Sequence, residues 1–152
     1  AAWLARGLSG TLPPALLPAL IFLLGAVISF ATGTSYGTMG ILMPLAVPLA
    51  QAVGKGDPEL VILASGAVLT GAIFGDHCSP ISDTTILSST GTACDHMDHT
   101  RTQLPYALVV AGVALLCGFL PAGLGVSPWL LLPAGMGVLL LILRVVGKRI
   151  SP

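Results

Sequence analysis

Two long apolar stretches, separated by a short polar cluster, open the pattern of this chain. The first covers residues 14–30, and the second, MGILMPLAVPLAQAV, follows the cluster ATGTSYGT. Each arm has about 15 residues, or roughly 23 Å as a helix, which is shorter than a hydrocarbon core of about 30 Å. Residues 14–53 are therefore predicted either to cross the membrane once as a broken helix or to enter and return as a re-entrant hairpin.

A second interrupted unit, residues 59–94, follows the loop GKGDP. Two half-helices, 59–74 and 84–93, are predicted to flank a break at 76–82, because Pro80 lacks a backbone N–H and disfavours helical geometry at Ser79. After the polar connector CDHMDHTRTQ, uninterrupted apolar stretches at 104–120 and 129–146 predict two further transmembrane helices.

Composition places the chain in the membrane. It is 55% hydrophobic and only 8% charged, whereas soluble domains carry about 25% charged residues. The apolar runs are continuous, so an all-α membrane protein is expected, forming one transmembrane domain over residues 1–152 with the lipid bilayer as its first partner. The zero net charge gives no reason to expect nucleic acid. The opening AAWLARGLSGTLP resembles the end of an earlier loop or helix, so the chain is expected to be the C-terminal part of a longer transporter whose N-terminal half is missing here.

Basic residues predict the orientation. Counting spans places Arg101 and the group Arg144, Lys148 and Arg149 on one side of the membrane, and Lys55 on the other. The more basic side is expected to be cytoplasmic. We therefore expect a multi-pass protein of the bacterial inner membrane with a cytoplasmic C-terminus.

The segment GDHCSPISDTT, residues 75–85, carries the main chemistry. An ionised Asp near the bilayer centre costs roughly 3 kcal/mol, so Asp76 and Asp83 are expected to line a hydrated cavity or to bind a compensating ion. Hard cations prefer oxygen ligands, which the carboxylates, the hydroxyls and the opened backbone supply. The plainer alternative is that Asp83 caps a helix and Asp76 faces lipid headgroups.

A carboxylate in such a cavity can hold a metal cation or a proton, and this competition is the minimal chemistry of a cation/proton antiporter. On this interpretation, Asp83→Asn is predicted to abolish exchange and to leave insertion intact. His77 is either a proton relay or a hydrogen-bonded structural imidazole.

Two further clusters are ambiguous. In ATGTSYGT, Thr34 and Ser35 are expected to form the other face of the site, although small residues can also serve helix packing alone. The segment CDHMDH superficially resembles a transition-metal set. Its position favours a solvated connector, or a cytoplasmic vestibule or pH-sensing loop made by Asp95, His96, Asp98 and His99. We expect no transition metal and no cofactor; Na⁺ and H⁺ would be transported ions.

The strings FGDHCSPISDTTILSS and CDHMDHTRTQLPYAL, preceded by ATGTSYGTMGILMPLA, resemble the signature motifs of the NhaC-type Na⁺/H⁺ antiporter family, within the larger ion-transporter superfamily. The resemblance implies an elevator-type fold of two inverted repeats, of which this chain is the second, with a re-entrant hairpin and a broken helix. It also implies cation and proton ligands: Thr34 and Ser35 at the hairpin tip, and Asp76, Ser82, Asp83 and Thr84 at the break.

Two alternatives to Na⁺/H⁺ exchange stay open at this point. The chain could belong to a Na⁺- or H⁺-coupled exchanger of organic anions or amino acids, for example malate and lactate, or it could be a truncated product without transport. An enzyme is not expected, because the sequence lacks a phosphate loop, a nucleophile elbow and a zinc-protease helix. A homodimer is possible by analogy with elevator transporters.

Overall fold

A computed structural model describes residues 12–147, and that part of the chain is helical. A 3₁₀ turn at Pro14–Leu16 leads into the first of six helices: α1 Leu17–Thr32, α2 Ser35–Val53, α3 Pro58–Cys78, α4 Asp83–Gly91, α5 His96–Gly123 and α6 Pro128–Val146. All except α4 are long and apolar enough to cross a membrane. The described residues therefore form a multi-pass membrane protein with five candidate spans.

The first unit returns on itself. Helix α1 ends at Gly33, whose φ of 68° is left-handed, and Thr34 caps the next helix by accepting a hydrogen bond from the Gly37 amide. Helix α2 runs antiparallel to α1, because Val53 at the end of α2 lines the same cavity as Pro14 before the start of α1. Each arm has 19 residues, Pro14–Thr32 and Ser35–Val53, or roughly 28 Å. The arms are longer than predicted because the capped break takes only two residues.

Helices α1 and α3 run parallel with their backbones in close contact. A Cβ atom at Gly71 would overlap the carbonyl oxygen of Phe22, and one at Gly75 would overlap that of Ala26. Small residues allow such close approach between helices in lipid. The core includes Leu17 of α1, Leu60 and Val68 of α3, and Leu42 of α2.

The second break is shorter than predicted. Helix α3 continues through Gly75, Asp76 and His77 to Cys78, and Ser79 is the first extended residue, with a ψ of 129°. Pro80 ends the helix as expected, but the helix does not stop at the predicted residue 74, because packing of Gly75 against α1 keeps this turn helical. The sequence offered Asp83 as the N-cap of the helix after the break. The N-cap of α4 is instead Ser82, and Asp83 lies in the first turn of that helix.

The predicted connector after α4 is largely helical. Asp95 caps α5 by accepting hydrogen bonds from the amides of Met97 and Asp98, so α5 begins eight residues before the predicted span at 104. It widens into a π-helical stretch at Ala114–Phe119 and reaches Gly123, 28 residues in all.

Helix α5 runs antiparallel to α1 and α3. Its first residue lies at the break and Gly123 lies against Ala15. Gly125 and Lys55 line one cavity at that end, whereas α6 ends beside Pro105 near the other. Lys55 and the α5–α6 turn thus share one end of the bundle, and the last turn of α6, which carries Arg144, lies towards the other. Lys55 and Arg144 are therefore at opposite ends, as the span count predicted. Lys148 and Arg149 lie outside the described residues, and which end is cytoplasmic stays a prediction.

Candidate ion-binding site

Asp76 lies in the last turn of α3, where the tip of the α1–α2 hairpin meets the break. Its side chain is 7% exposed. The Ser82 hydroxyl donates to one carboxylate oxygen at 2.8 Å, and the Ser35 hydroxyl donates to the other at 3.3 Å. Both of these partners are neutral, so within the described residues no basic group among its hydrogen-bond partners balances this buried carboxylate. A buried charge generally requires a partner that compensates it, and a bound cation would be such a partner.

A chain of hydroxyls connects Asp76 to the surface. Ser82, which is 0% exposed, lies 2.7 Å from the hydroxyl of the exposed Thr84. Because Ser82 has one hydroxyl hydrogen and gives it to Asp76, the Thr84 hydroxyl donates to Ser82. The order of donors therefore runs from Thr84 through Ser82 to the carboxylate.

Helix ends add to the electrostatics of this site. Asp76 lies at the C-terminal end of α3, where the helix dipole is negative and favours cations. Asp83 lies in the first turn of α4, where the dipole is positive and favours a carboxylate. The two acids predicted to act together are therefore in opposite environments.

Other predicted site residues lie around this cluster and not within it. The side chain of Asp83 is exposed, and that of His77 is exposed as well. Thr34 uses its hydroxyl to cap α2. The structure thus brings together Asp76, Ser35, Ser82 and Thr84, and it does not bring Asp83, His77 or Thr34 into hydrogen-bond contact with them.

The backbone carbonyls opened by the break, which the sequence offered as ligands, are largely occupied. The carbonyl of His77 accepts hydrogen bonds from Gln103 and Thr85, and that of Phe30 accepts one from Ser79. The bonds to His77 replace helical hydrogen bonds that are lost where α3 ends before Pro80, and the bond to Phe30 satisfies a carbonyl in the last turn of α1. The oxygens that remain available to an ion here are mainly those of the carboxylate and the hydroxyls.

The segment CDHMDH contributes structure close to the break. Asp95 caps α5, Asp98 is exposed and His99 is half-buried. The imidazole of His96 lies 2.6 Å from the carbonyl oxygen of Pro80 and 3.0 Å from the Ser89 hydroxyl. Among residues 12–147, no group of three or more His, Cys, Asp or Glu side chains is placed to hold a metal ion.

Sequence reasoning missed the roles of His96 and Gln103. Both lie in a segment that looks like a polar loop, and their partners are 16 and 26 residues away in sequence. The one available signal is the cap: Asp95 before a helical run predicts a helix N-terminus close to the break.

Comparison with known proteins shows the family of this chain. A sequence model of the Na⁺/H⁺ antiporter family matches residues 2–124. An uncharacterized protein of Haemophilus influenzae is 46% identical over 97% of the chain. The malate-2H⁺/Na⁺-lactate antiporter of Bacillus subtilis is 28% identical over 93%, and the Na⁺/H⁺ antiporter NhaC of Alkalihalophilus pseudofirmus is 34% identical over 60%. No solved structure matches.

The chain spans only part of these relatives, covering 28%, 36% and 20% of their own lengths in the same order. The family match nevertheless covers most of the chain and includes both polar clusters. The chain therefore belongs to the Na⁺/H⁺ antiporter family, as the resemblance of its motifs predicted.

Proposed function

We propose that this chain carries the ion site of a secondary transporter that exchanges Na⁺ for H⁺, with Asp76 as the group that binds the two ions in turn. The observation that carries this proposal is the environment of Asp76. It is a buried carboxylate at a helix C-terminus, and its hydrogen-bond partners in the described part of the chain are two neutral hydroxyls.

The coupling of Na⁺ transport to H⁺ transport follows from the free-energy cost of leaving the carboxylate of Asp76 without a bound ion. With Na⁺ bound, the charge of Asp76 is balanced, and the oxygens of Ser35 and Ser82 complete the ligand set. With a proton bound, Asp76 is neutral and keeps its hydroxyl partners. Without either ion, a buried charge remains uncompensated, which costs several kcal/mol. A carrier that changes sides only when loaded exchanges one ion for the other.

Asp83 has a separate role in this proposal. Because its side chain is exposed at the first turn of α4, it attracts cations towards the cluster and does not exchange them. Thr84, exposed and bonded to Ser82, is the entry point for protons, a role that the sequence offered to His77. The sequence predicted that loss of the Asp83 carboxylate would abolish exchange, whereas this proposal gives that role to Asp76.

Matched variants of the complete transporter test the assignment. Asp76→Asn keeps the shape of the side chain but cannot alternate between charge states, so it is expected to abolish Na⁺-driven proton flux in proteoliposomes. Asp83→Asn removes only attraction and is expected to raise the KM for Na⁺ about fivefold, as loss of roughly 1 kcal/mol of Coulomb energy would. Amounts of inserted protein are compared by immunoblot. Full exchange by Asp76→Asn would contradict the proposal.

A second candidate, coupled exchange of an organic anion, is favoured by the malate/lactate relative, which is 28% identical over 93% of the chain. The N-terminus of α4 could hold a carboxylate. However, Asp83 already places negative charge in that turn, and the break from Ser79 to Ser82 contains no Lys or Arg. Proton flux driven by Na⁺ alone supports the first candidate, whereas flux that requires malate or lactate supports the second.

A further inference from the structure

The His96 ring joins three elements next to the ion site. It projects from the first residue of α5, its Nε2 lies 2.6 Å from the Pro80 carbonyl oxygen in the break, and its Nδ1 lies 3.0 Å from the hydroxyl of Ser89 on α4. Ser89 is 2% exposed. Both ring nitrogens thus have a partner, and one partner is backbone.

Hydrogen-bond chemistry determines the form of the ring. A carbonyl oxygen only accepts, so Nε2 must carry a hydrogen. In the neutral ring, Ser89 donates to Nδ1. In the protonated ring, Nδ1 donates to Ser89, whose hydroxyl can then donate to the Ile86 carbonyl at 3.0 Å. The bond to Pro80 persists in both forms, so this ring can hold the break whichever form it takes.

The Pro80 peptide is mechanically connected to the carboxylate. Residues Ser79 to Ser82 form a turn closed by the Ser82 amide, which donates to the Ser79 carbonyl at 3.3 Å. On one side, the Ser79 hydroxyl binds the carbonyl of Phe30 at 2.8 Å, which ties the turn to α1. On the other side, His96 ties this turn to α5. A shift of the Pro80 peptide would therefore displace Ser82, whose hydroxyl bonds Asp76.

We propose that His96 is a positioning residue of the ion site, which holds the Ser79–Ser82 turn through the Pro80 carbonyl so that Ser82 stays on Asp76. The effect of His96 on transport rests on the Na⁺/H⁺ exchange proposed above. The effect of His96 on the structure, which is to hold the Ser79–Ser82 turn in place, does not depend on transport. The two parts can therefore be tested separately.

Three substitutions separate the two bonds of the ring. The amide nitrogen of Gln reaches as far as Nε2, so His96→Gln can keep the bond to Pro80. Asn is one carbon shorter, so His96→Asn can keep only the bond to Ser89, and His96→Ala keeps neither. His99→Gln, on the same helix and half-buried, is the matched control.

The first measurement uses a native reporter. Cys78 is 2% exposed and directly precedes the break, so its labelling by N-ethylmaleimide in membranes reports opening of the break. Every other cysteine of the complete transporter, including Cys94 and Cys117, is replaced by serine for this measurement. Loss of the Pro80 bond is expected to raise the labelling rate about fivefold, the factor for one hydrogen bond. We expect this rise in His96→Ala and His96→Asn, and rates close to wild type in His96→Gln and His99→Gln.

The second measurement is the KM for Na⁺ in proteoliposomes of the complete transporter, which is expected to rise in the same order while maximal flux changes less. Equal rates of Cys78 labelling in all three His96 variants would overturn the positioning role. A labelling rate close to wild type in His96→Asn but not in His96→Gln would overturn it as well. If His96→Ala does not insert, the comparison of Gln with Asn still decides. Absence of Na⁺/H⁺ exchange in the wild type would remove the proposed function alone, because the labelling order stands without it.

Discussion

At the scale of single residues, the two hydroxyls on Asp76 are not equivalent. Ser82 is fully buried and donates at 2.8 Å, whereas Ser35 is half-buried and donates at 3.3 Å. A hydrogen bond to a charged group contributes about 1.5–3 kcal/mol, and more when it is short and shielded from water. Ser82 should therefore contribute more than Ser35 to the charged form of Asp76, which is the form that binds Na⁺.

Alanine substitutions test whether Ser82 contributes more than Ser35 to Na⁺ binding. Ser82→Ala is expected to raise the KM for Na⁺ at least about tenfold, the lower end of that energy range, and Ser35→Ala is expected to raise it less. Ser88→Ala is the control, because the Ser88 hydroxyl is exposed and donates to the Thr84 carbonyl within α4. The measurement is proton flux as a function of Na⁺ concentration. Similar KM values in Ser82→Ala and Ser88→Ala would exclude Ser82 from the site.

At the scale of helices, the contact between α1 and α3 determines where the site forms. Gly71 and Gly75 let the two backbones approach until Phe22 and Ala26 lie directly against α3. This alignment of α1 with α3 places the end of α1 beside the break, where the Phe30 carbonyl accepts a hydrogen bond from the Ser79 hydroxyl. Close packing of these two helices therefore brings the hairpin tip, with Ser35, to Asp76.

A methyl group at Gly75 is expected to push the helices apart. Gly75→Ala would place Cβ on the Ala26 carbonyl, which is backbone and cannot rotate away, and overpacking of this kind costs about 1–3 kcal/mol. We expect a lower melting temperature in detergent and a loss of exchange.

Gly66→Ala on the same helix serves as the control for this substitution, because a methyl group at Gly66 would meet no other atom within 4 Å. It should leave stability unchanged or raise it slightly, since alanine favours helix more than glycine does. Equal melting temperatures for the Gly75 and Gly66 variants would show that the close contact is absent.

The limits of sequence reasoning follow from these same contacts. Pro80 predicted the break because its effect is local: it lacks an N–H and restricts Ser79. Residues 76–78 were wrongly placed in the break. The helix continues there because Gly75 packs against Ala26, a neighbour distant in sequence whose position the sequence does not reveal. The meeting of Ser35 with Asp76 was expected from the family resemblance, but the exposure of Asp83 depends on the capping of α4 by Ser82.

At the scale of the whole chain, the site lies towards one end of the bundle. Asp76 is 18 residues from the start of α3 at Pro58, or roughly 27 Å along the helix. Helix α5 begins at the level of the break, because His96 contacts Pro80 there, and it returns to the end that holds Lys55. The short α4 therefore does not add a further span between α3 and α5.

This topology predicts opposite accessibility for two cysteines. Cys94 is exposed between α4 and α5 at the break end, and Lys55 lies in the turn at the opposite end. Single-cysteine variants of the complete transporter, one keeping Cys94 and one carrying Lys55→Cys, are labelled in oriented vesicles with a membrane-impermeant maleimide. Arg101 and Arg144 lie towards the same end of the bundle as Cys94, and the more basic side is expected to be cytoplasmic. We therefore expect Cys94 to react from the cytoplasmic side and Lys55→Cys from the outside. If both reacted from one side, α3 would not cross the membrane, and Asp76 could not form part of a path between its two faces.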